Sequence, residues 1–266
     1  MVGGLLLRGM LVGAVAGLLA FGFARAFGEP EIDRAISFEA MTKAAPHAHG
    51  EAHVHGDAHT HGEAGADGAE PELVSRTTQS GIGLATGVLV YGAAVGGLFA
   101  LAFGFAHGRL GRLGPRATAA LLALGAYVAV VLVPSIKYPA NPPAIGHAET
   151  IGARTALFFL MILISLVALA LAVTLARRLS AQFGTWNAAI LAGAAFILVV
   201  AVAQYALPAV NEVPDQFSAA LLWRFRIASL GIHAVMWTTI GLLFGALTER
   251  AMAVQLGQPM AHPLAR

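Results

Sequence analysis

Six stretches of this chain, most of them close to the ~20 apolar residues that a helix needs to cross a bilayer, constrain its fold more than any other feature. They run at about Leu5–Phe27, Gly81–Ala106, Ala117–Val133, Thr155–Leu175, Ala188–Leu207 and Ile227–Leu247. The expected fold is an all-α integral membrane protein of about six transmembrane helices, a single polytopic domain over residues 1–266. Composition agrees, with 58 % hydrophobic and 11 % charged residues, whereas a soluble domain carries about 25 % charged residues. Arg8 ahead of an apolar run resembles the start of a signal peptide. The run continues through Phe27 with no small-x-small cleavage site before Glu29-Pro30, so an uncleaved first helix is expected.

Charge sets the expected orientation. With the N-terminus in the cytoplasm, the loops after the second and fourth segments and the C-terminal tail are cytoplasmic too. They carry Arg109, Arg112, Arg116, Arg177, Arg178, Arg250 and Arg266 against one acid, Glu249. The other side receives the remaining acids and about half of the basic residues, but these basic residues are diluted in the long loop 28–80, which the positive-inside rule discounts, or sit at helix ends. A formal net charge of +2 is too small to imply a nucleic-acid partner. The chain has no cysteine, so any metal must be held by nitrogen and oxygen.

The long loop contains one six-residue unit written three times from His47 to Ala64, HAHGEA-HVHGDA-HTHGEA. Its His47, His49, His53, His55, His59 and His61 are six of the ten histidines in the chain, and Glu51, Asp57 and Glu63 add a carboxylate to each unit. Neutral imidazole and carboxylate suit divalent first-row ions such as cobalt, nickel, zinc and copper. Histidines two apart point to different sides of a helix, so a helical tract could not close such neighbours on one ion. The tract is expected to be an outward-facing flexible chelator, disordered until metal arrives, because its glycines, alanines and small polar residues bury too little to offset ordering.

Small residues pattern the first two segments. Gly9, Gly13 and Gly17 recur every four residues, as do the pairs Gly83 with Gly87 and Gly92 with Gly96. Such stripes let two backbones lie close, so the first segment is expected to pair with the second. Further on, Pro134–Glu149 holds four prolines and should run extended. After the fifth segment, a short interfacial helix from about Asp215, with Trp223 at the membrane surface and a bend before Ile227, would keep the last span to membrane length. Glu212 and Asp215 either neutralise Arg224 and Arg226 or have a functional role.

Catalytic signatures are missing. The only lysines, Lys43 and Lys137, lie outside any G-x-x-x-x-G-K-[ST] loop, and there is no H-E-x-x-H pair. Transport is the better fit, with no permanently bound cofactor and the metal ion as substrate. Ligands for an inward route would come from Asn141, His147, Glu149, Asn211 and Glu212 in the two proline-bearing loops. His233 would follow, since an ionisable residue inside a span is a pathway candidate. Its alternative role is a hydrogen bond to a neighbouring helix.

Three segments carry a resemblance. RGMLVGAVAGLLAFGFARAFGEP at Arg8–Pro30, KYPANPPAIG at Lys137–Gly146, and NEVP with LLWRFRIASLG between Asn211 and Gly231 resemble the CbtA family of predicted cobalt transporter subunits. The resemblance implies a bacterial inner-membrane protein that supplies cobalt for cobalamin synthesis beside a small single-helix CbtB-type partner. The family is commonly described with five helices, against the six counted here. Two other classes of function stay open: a metal-binding sensor or buffering accessory protein that transports nothing, and a membrane enzyme or assembly factor of cobalamin metabolism.

Overall fold

The computed structural model describes residues 2–44, 75–111 and 113–255. The histidine tract, and with it the expectation of disorder there, lies outside them. Among the described residues all regular structure is helical, the one solution open to a lipid-spanning chain without a closed barrel. Five stretches are long and apolar enough to cross a membrane: α1 (Val2–Thr42), α2 (Arg76–Ala106), α3 (Pro115–Lys137), α4 (Ala148–Ala206) and α5 (Ala219–Val254). Hydropathy alone gives six apolar segments, and the difference lies within α4.

Glu29-Pro30 does not end α1. A π-helical turn at Ala24–Gly28, in which the Glu29 N–H reaches back to the Ala24 carbonyl, widens the helix just before Pro30 and accommodates a residue that has no N–H. The helix then continues through Glu29–Ala44, so residues 29–44, expected in a loop, are helical. Its first turns bury Glu29 and Glu31. Both are paired, since Arg76 at the start of α2 lies 2.6 Å from Glu29 and 3.1 Å from Asp33, and Arg34 lies 2.6 Å from Glu31.

Helices α1 and α2 pack antiparallel along the expected glycine stripe. Gly9 faces Gly96, Gly13 faces Gly92, and Gly17 faces Val88, where an added methyl would come 2.6 Å from the Val88 carbonyl oxygen. Gly87 has nothing within 4 Å, so the α2 side of the stripe is Gly92 and Gly96 without the Gly83–Gly87 pair. Beside this pairing, Phe99 and Phe103 of α2 stack edge-on against Phe244 of α5 at 5.3 and 5.1 Å between ring centroids. With lipid as solvent, such close packing holds the helices together where a hydrophobic driving force would in water.

Within α4 the helix Ile151–Ala206 has 56 residues and would measure about 84 Å if straight. It is not straight, because Gly184 adopts φ 74°, ψ 162°, a backbone region essentially reserved for glycine. Met161 before the break and Val200 and Ala203 after it share one core with Val133 and Tyr138 at the end of α3. A straight helix would separate residues 161 and 200 by roughly 58 Å, so the chain doubles back at Gly184. The first limb contains the expected segment Thr155–Leu175, and the second covers the expected Ala188–Leu207 as far as Ala206. Lys137 Nζ donates to the Gln204 carbonyl, Gln204 Nε2 donates to the Val133 carbonyl at 2.8 Å, and Ser165 Oγ donates to the Ala129 carbonyl.

The last stretch starts later than expected. Pro214 and a turn closed by the Phe217 N–H on the Pro214 carbonyl keep Asp215 out of the helix. Ser218 then caps α5 by accepting the Leu221 N–H. From Ala219 to Thr239 the helix is unbroken, so there is neither a separate interfacial helix nor a bend before Ile227. The run Leu221–Arg226 holds no glycine or proline to cause one.

These elements give the bundle two distinct ends. One carries the proline-bearing segments 139–147 and 207–218 together with the upper part of α1, and is called the loop end below. The other carries the Arg116–Glu249 ion pair at 2.5 Å and the Arg8–Thr248 hydrogen bond at 3.5 Å.

Candidate functional site

At the loop end, proline content dictates a backbone that cannot relax into helix. Segment 139–147 leaves α3 after Tyr138, holds Ala144 at φ 70° and Gly146 at φ 107°, and re-enters helix through a 3₁₀ turn at Ala148–Thr150. Pro134, expected in this extended run, instead lies inside the last helical turn of α3, Val133–Lys137. Both proline-bearing segments are anchored rather than loose. Ile145 from the first and Phe217 from the second pack on Ala35 of α1, with Phe38 edge-on to Phe217 at 5.0 Å. Tyr138 donates its hydroxyl to the Pro208 carbonyl at 2.8 Å.

Glu212 joins the two segments. Its Oε2 accepts the His147 backbone N–H at 2.9 Å and lies 3.6 Å from Arg154 Nε, and its side chain is 9 % exposed. The Thr150 hydroxyl, the His147 N–H and the charge of Arg154 hold its carboxyl below the ordinary glutamate range, against the opposing effect of burial. The alternative expected from sequence, that Glu212 and Asp215 neutralise Arg224 and Arg226, is not what the loop end shows for Glu212, whose basic partner is Arg154. Arg224 is exposed, because residues two apart on a helix face different sides, and it is Arg226 that turns inward.

Beneath these segments lies a cavity of about 760 Å³. Its polar wall includes Asn141, Arg154, Asn211, Glu212, Arg226 and His233, and its apolar wall includes Tyr91 of α2, Val130 of α3 and Phe158, Phe159 and Ile162 of α4. Arg226, Ser229 and His233 reach it from one face of α5, as spacings of three and four residues require. Arg226 Nη2 donates to Asn141 Oδ1 at 3.0 Å. Arg226 Nε and His233 Nδ1 are shielded from solvent and have no hydrogen-bond partner among the described residues.

Four of the six expected route residues, Asn141, Asn211, Glu212 and His233, therefore line one cavity. The other two do not. His147 contributes only its backbone N–H to Glu212, and Glu149 is exposed in the 3₁₀ turn. Sequence reasoning missed Arg154 and Arg226 as wall residues. The available sign was their position: each is a charge at the loop end of an apolar helix, where a cost is incurred unless something meets it. Among the described residues no three His, Asp or Glu side chains are grouped to hold a metal ion.

A family model described as probable cobalt transporter subunit (CbtA) matches residues 2–249. No curated protein and no solved structure matches the chain.

Proposed function

From the premise that the chain belongs to the CbtA family of probable cobalt transporter subunits, we propose that it carries cobalt across the bacterial inner membrane, with nickel and zinc as the alternatives of like chemistry, to supply cobalamin synthesis. The observation that carries this reading is the convergence of Asn141, Asn211, Glu212 and His233 on one cavity from three separate segments. Oxygen and nitrogen donors on a constrained backbone can take over metal released by the imidazoles of the tract. The tract His47–Ala64 serves as the external collector, raising local metal concentration above the loop end without forming the pore.

Topologically, the two limbs of α4 on either side of Gly184 count as separate crossings in this proposal, six in all, with both termini cytoplasmic. Support comes from the return of both limbs to the same end of α3 and from the arginines at the opposite end. A subunit needs a partner, and a small single-helix CbtB-type protein is proposed for that place, with membrane lipid around the rest. No resident cofactor is required, and the metal is substrate. An accessory sensor or buffer would use the tract but would not need the cavity.

Uptake of radiolabelled cobalt, nickel and zinc, by cells expressing this chain alone and with its genomic neighbours, tests the reading. Glu212→Gln and His233→Ala should each lower flux at saturating metal by tenfold or so, about 1.4 kcal/mol of barrier, while leaving metal binding by the tract intact. Normal flux in both proteins at wild-type expression would remove the cavity from the route.

A further inference from the structure

The charges on the cavity wall do not suit a bare divalent cation. The wall has two guanidiniums, Arg154 and Arg226, and one carboxylate, Glu212, which is already engaged by Arg154 and the His147 N–H. One positive charge is left over, and it belongs to Arg226. That guanidinium offers five N–H donors and cannot shed its proton. Its hydrogen bond is to a neutral amide oxygen of Asn141, its Nε is shielded from solvent without a partner, and no carboxylate pairs with it among the described residues. A half-buried cation near a membrane interior is costly when unmet. Nearby polar groups, Asn211, Ser229 and His233, are not acids, so none of them supplies the missing negative charge.

We propose that the cavity is an oxyanion site, in which Arg226, oriented by Asn141, receives a carboxylate or phosphate group. A planar guanidinium is the side chain best suited to a two-oxygen acceptor of this kind. A volume of about 760 Å³ is large for a hydrated ion and suits a small multidentate molecule or a lipid headgroup. The consequence for transport, which rests on the function proposed above, is that metal passes this cavity accompanied by a ligand that bears such an oxyanion and not as a naked ion.

The test uses the full chain, with the six tract histidines replaced by serine, in phosphatidylcholine nanodiscs. Titration calorimetry would be run with citrate, inorganic phosphate, cobalt chloride and cobalt citrate in turn. Citrate or phosphate should bind, Arg226→Gln should weaken that binding at least tenfold, and Arg226→Lys should weaken it less. On the chain with Arg226 intact, the same anions should protect Arg226 from phenylglyoxal, read by peptide mass spectrometry, which keeps the test valid if the variants fold poorly. Protection in discs containing phosphatidylglycerol, with none from citrate or phosphate, would assign the oxyanion to a lipid headgroup. Cobalt chloride binding that persists or tightens in Arg226→Gln, with no anion binding and no protection from any source, would overturn the proposal. These readouts are of binding, so a failure of cobalt uptake in cells would count against the transport reading alone.

Discussion

Glu212 is the residue on which the geometry of the loop end turns. Its carboxyl titrates below its ordinary value of 4.5, chiefly through the Thr150 hydroxyl and also through the His147 N–H and Arg154. A depressed folded-state value means that its contribution is complete above the ordinary glutamate range and is lost as pH falls through the lower, folded value. Hydrogen exchange at the His147 amide should therefore be slower in the wild type than in Glu212→Gln at neutral pH. That difference should hold down to about pH 4.5 and vanish below it. A difference that disappeared between pH 6 and 7 would point to a histidine instead. Gly146 makes a second point at this scale: at φ 107° its added methyl would lie 2.6 Å from Arg154 Nη2. The partner of Glu212 is thus seated against a position that only glycine fills comfortably.

At the scale of helices, two glycine effects separate cleanly. A methyl on Gly13 would meet the Gly92 carbonyl and lie 2.9 Å from Gly96 Cα, whereas Gly87 has nothing within 4 Å. Gly13→Leu should destabilise the protein by about 3 kcal/mol through forced separation of α1 and α2, and Gly87→Leu should be close to neutral. Thermal unfolding in detergent distinguishes them, and equal midpoints for the two variants would refute the pairing. In α4, Gly184 is needed for conformation and not for space, since nothing lies within 4 Å of its added Cβ. Gly184→Ala should cost about 1–3 kcal/mol because φ 74°, ψ 162° strains any L side chain. A variant as stable as wild type would mean that the reversal does not depend on that backbone state.

For the molecule as a whole, the proposed six crossings predict opposite exposure of the two ends. The chain has no native cysteine, so single cysteines at Ala58 and at Gly114 give a clean background for labelling of intact cells. Ala58 should react with an impermeant maleimide from outside and Gly114 should not. Equal reaction of both would dismiss the topology. Hydropathy over about 20 residues and the scarcity of charge determined that the chain is helical and built for lipid, because an unsatisfied backbone is intolerable there. The four-residue spacing of Gly9, Gly13 and Gly17 with Gly92 and Gly96 determined which helices could pair, since small residues on one face admit close approach whatever the surroundings. The proline runs likewise marked Asn141, Asn211 and Glu212 as constrained polar groups. Only the tertiary structure decided the rest. The extension of α1 past Pro30 depends on a π turn that local propensity does not encode, and Gly184 reads in sequence like any other glycine until φ 74° is seen. The choice of Arg154 over Arg224 as the partner of Glu212, and the arrival of Arg226 in the cavity without an acid, depend on which helix faces meet. Charge pairing between distant segments is set by packing, and packing is not periodic in the sequence.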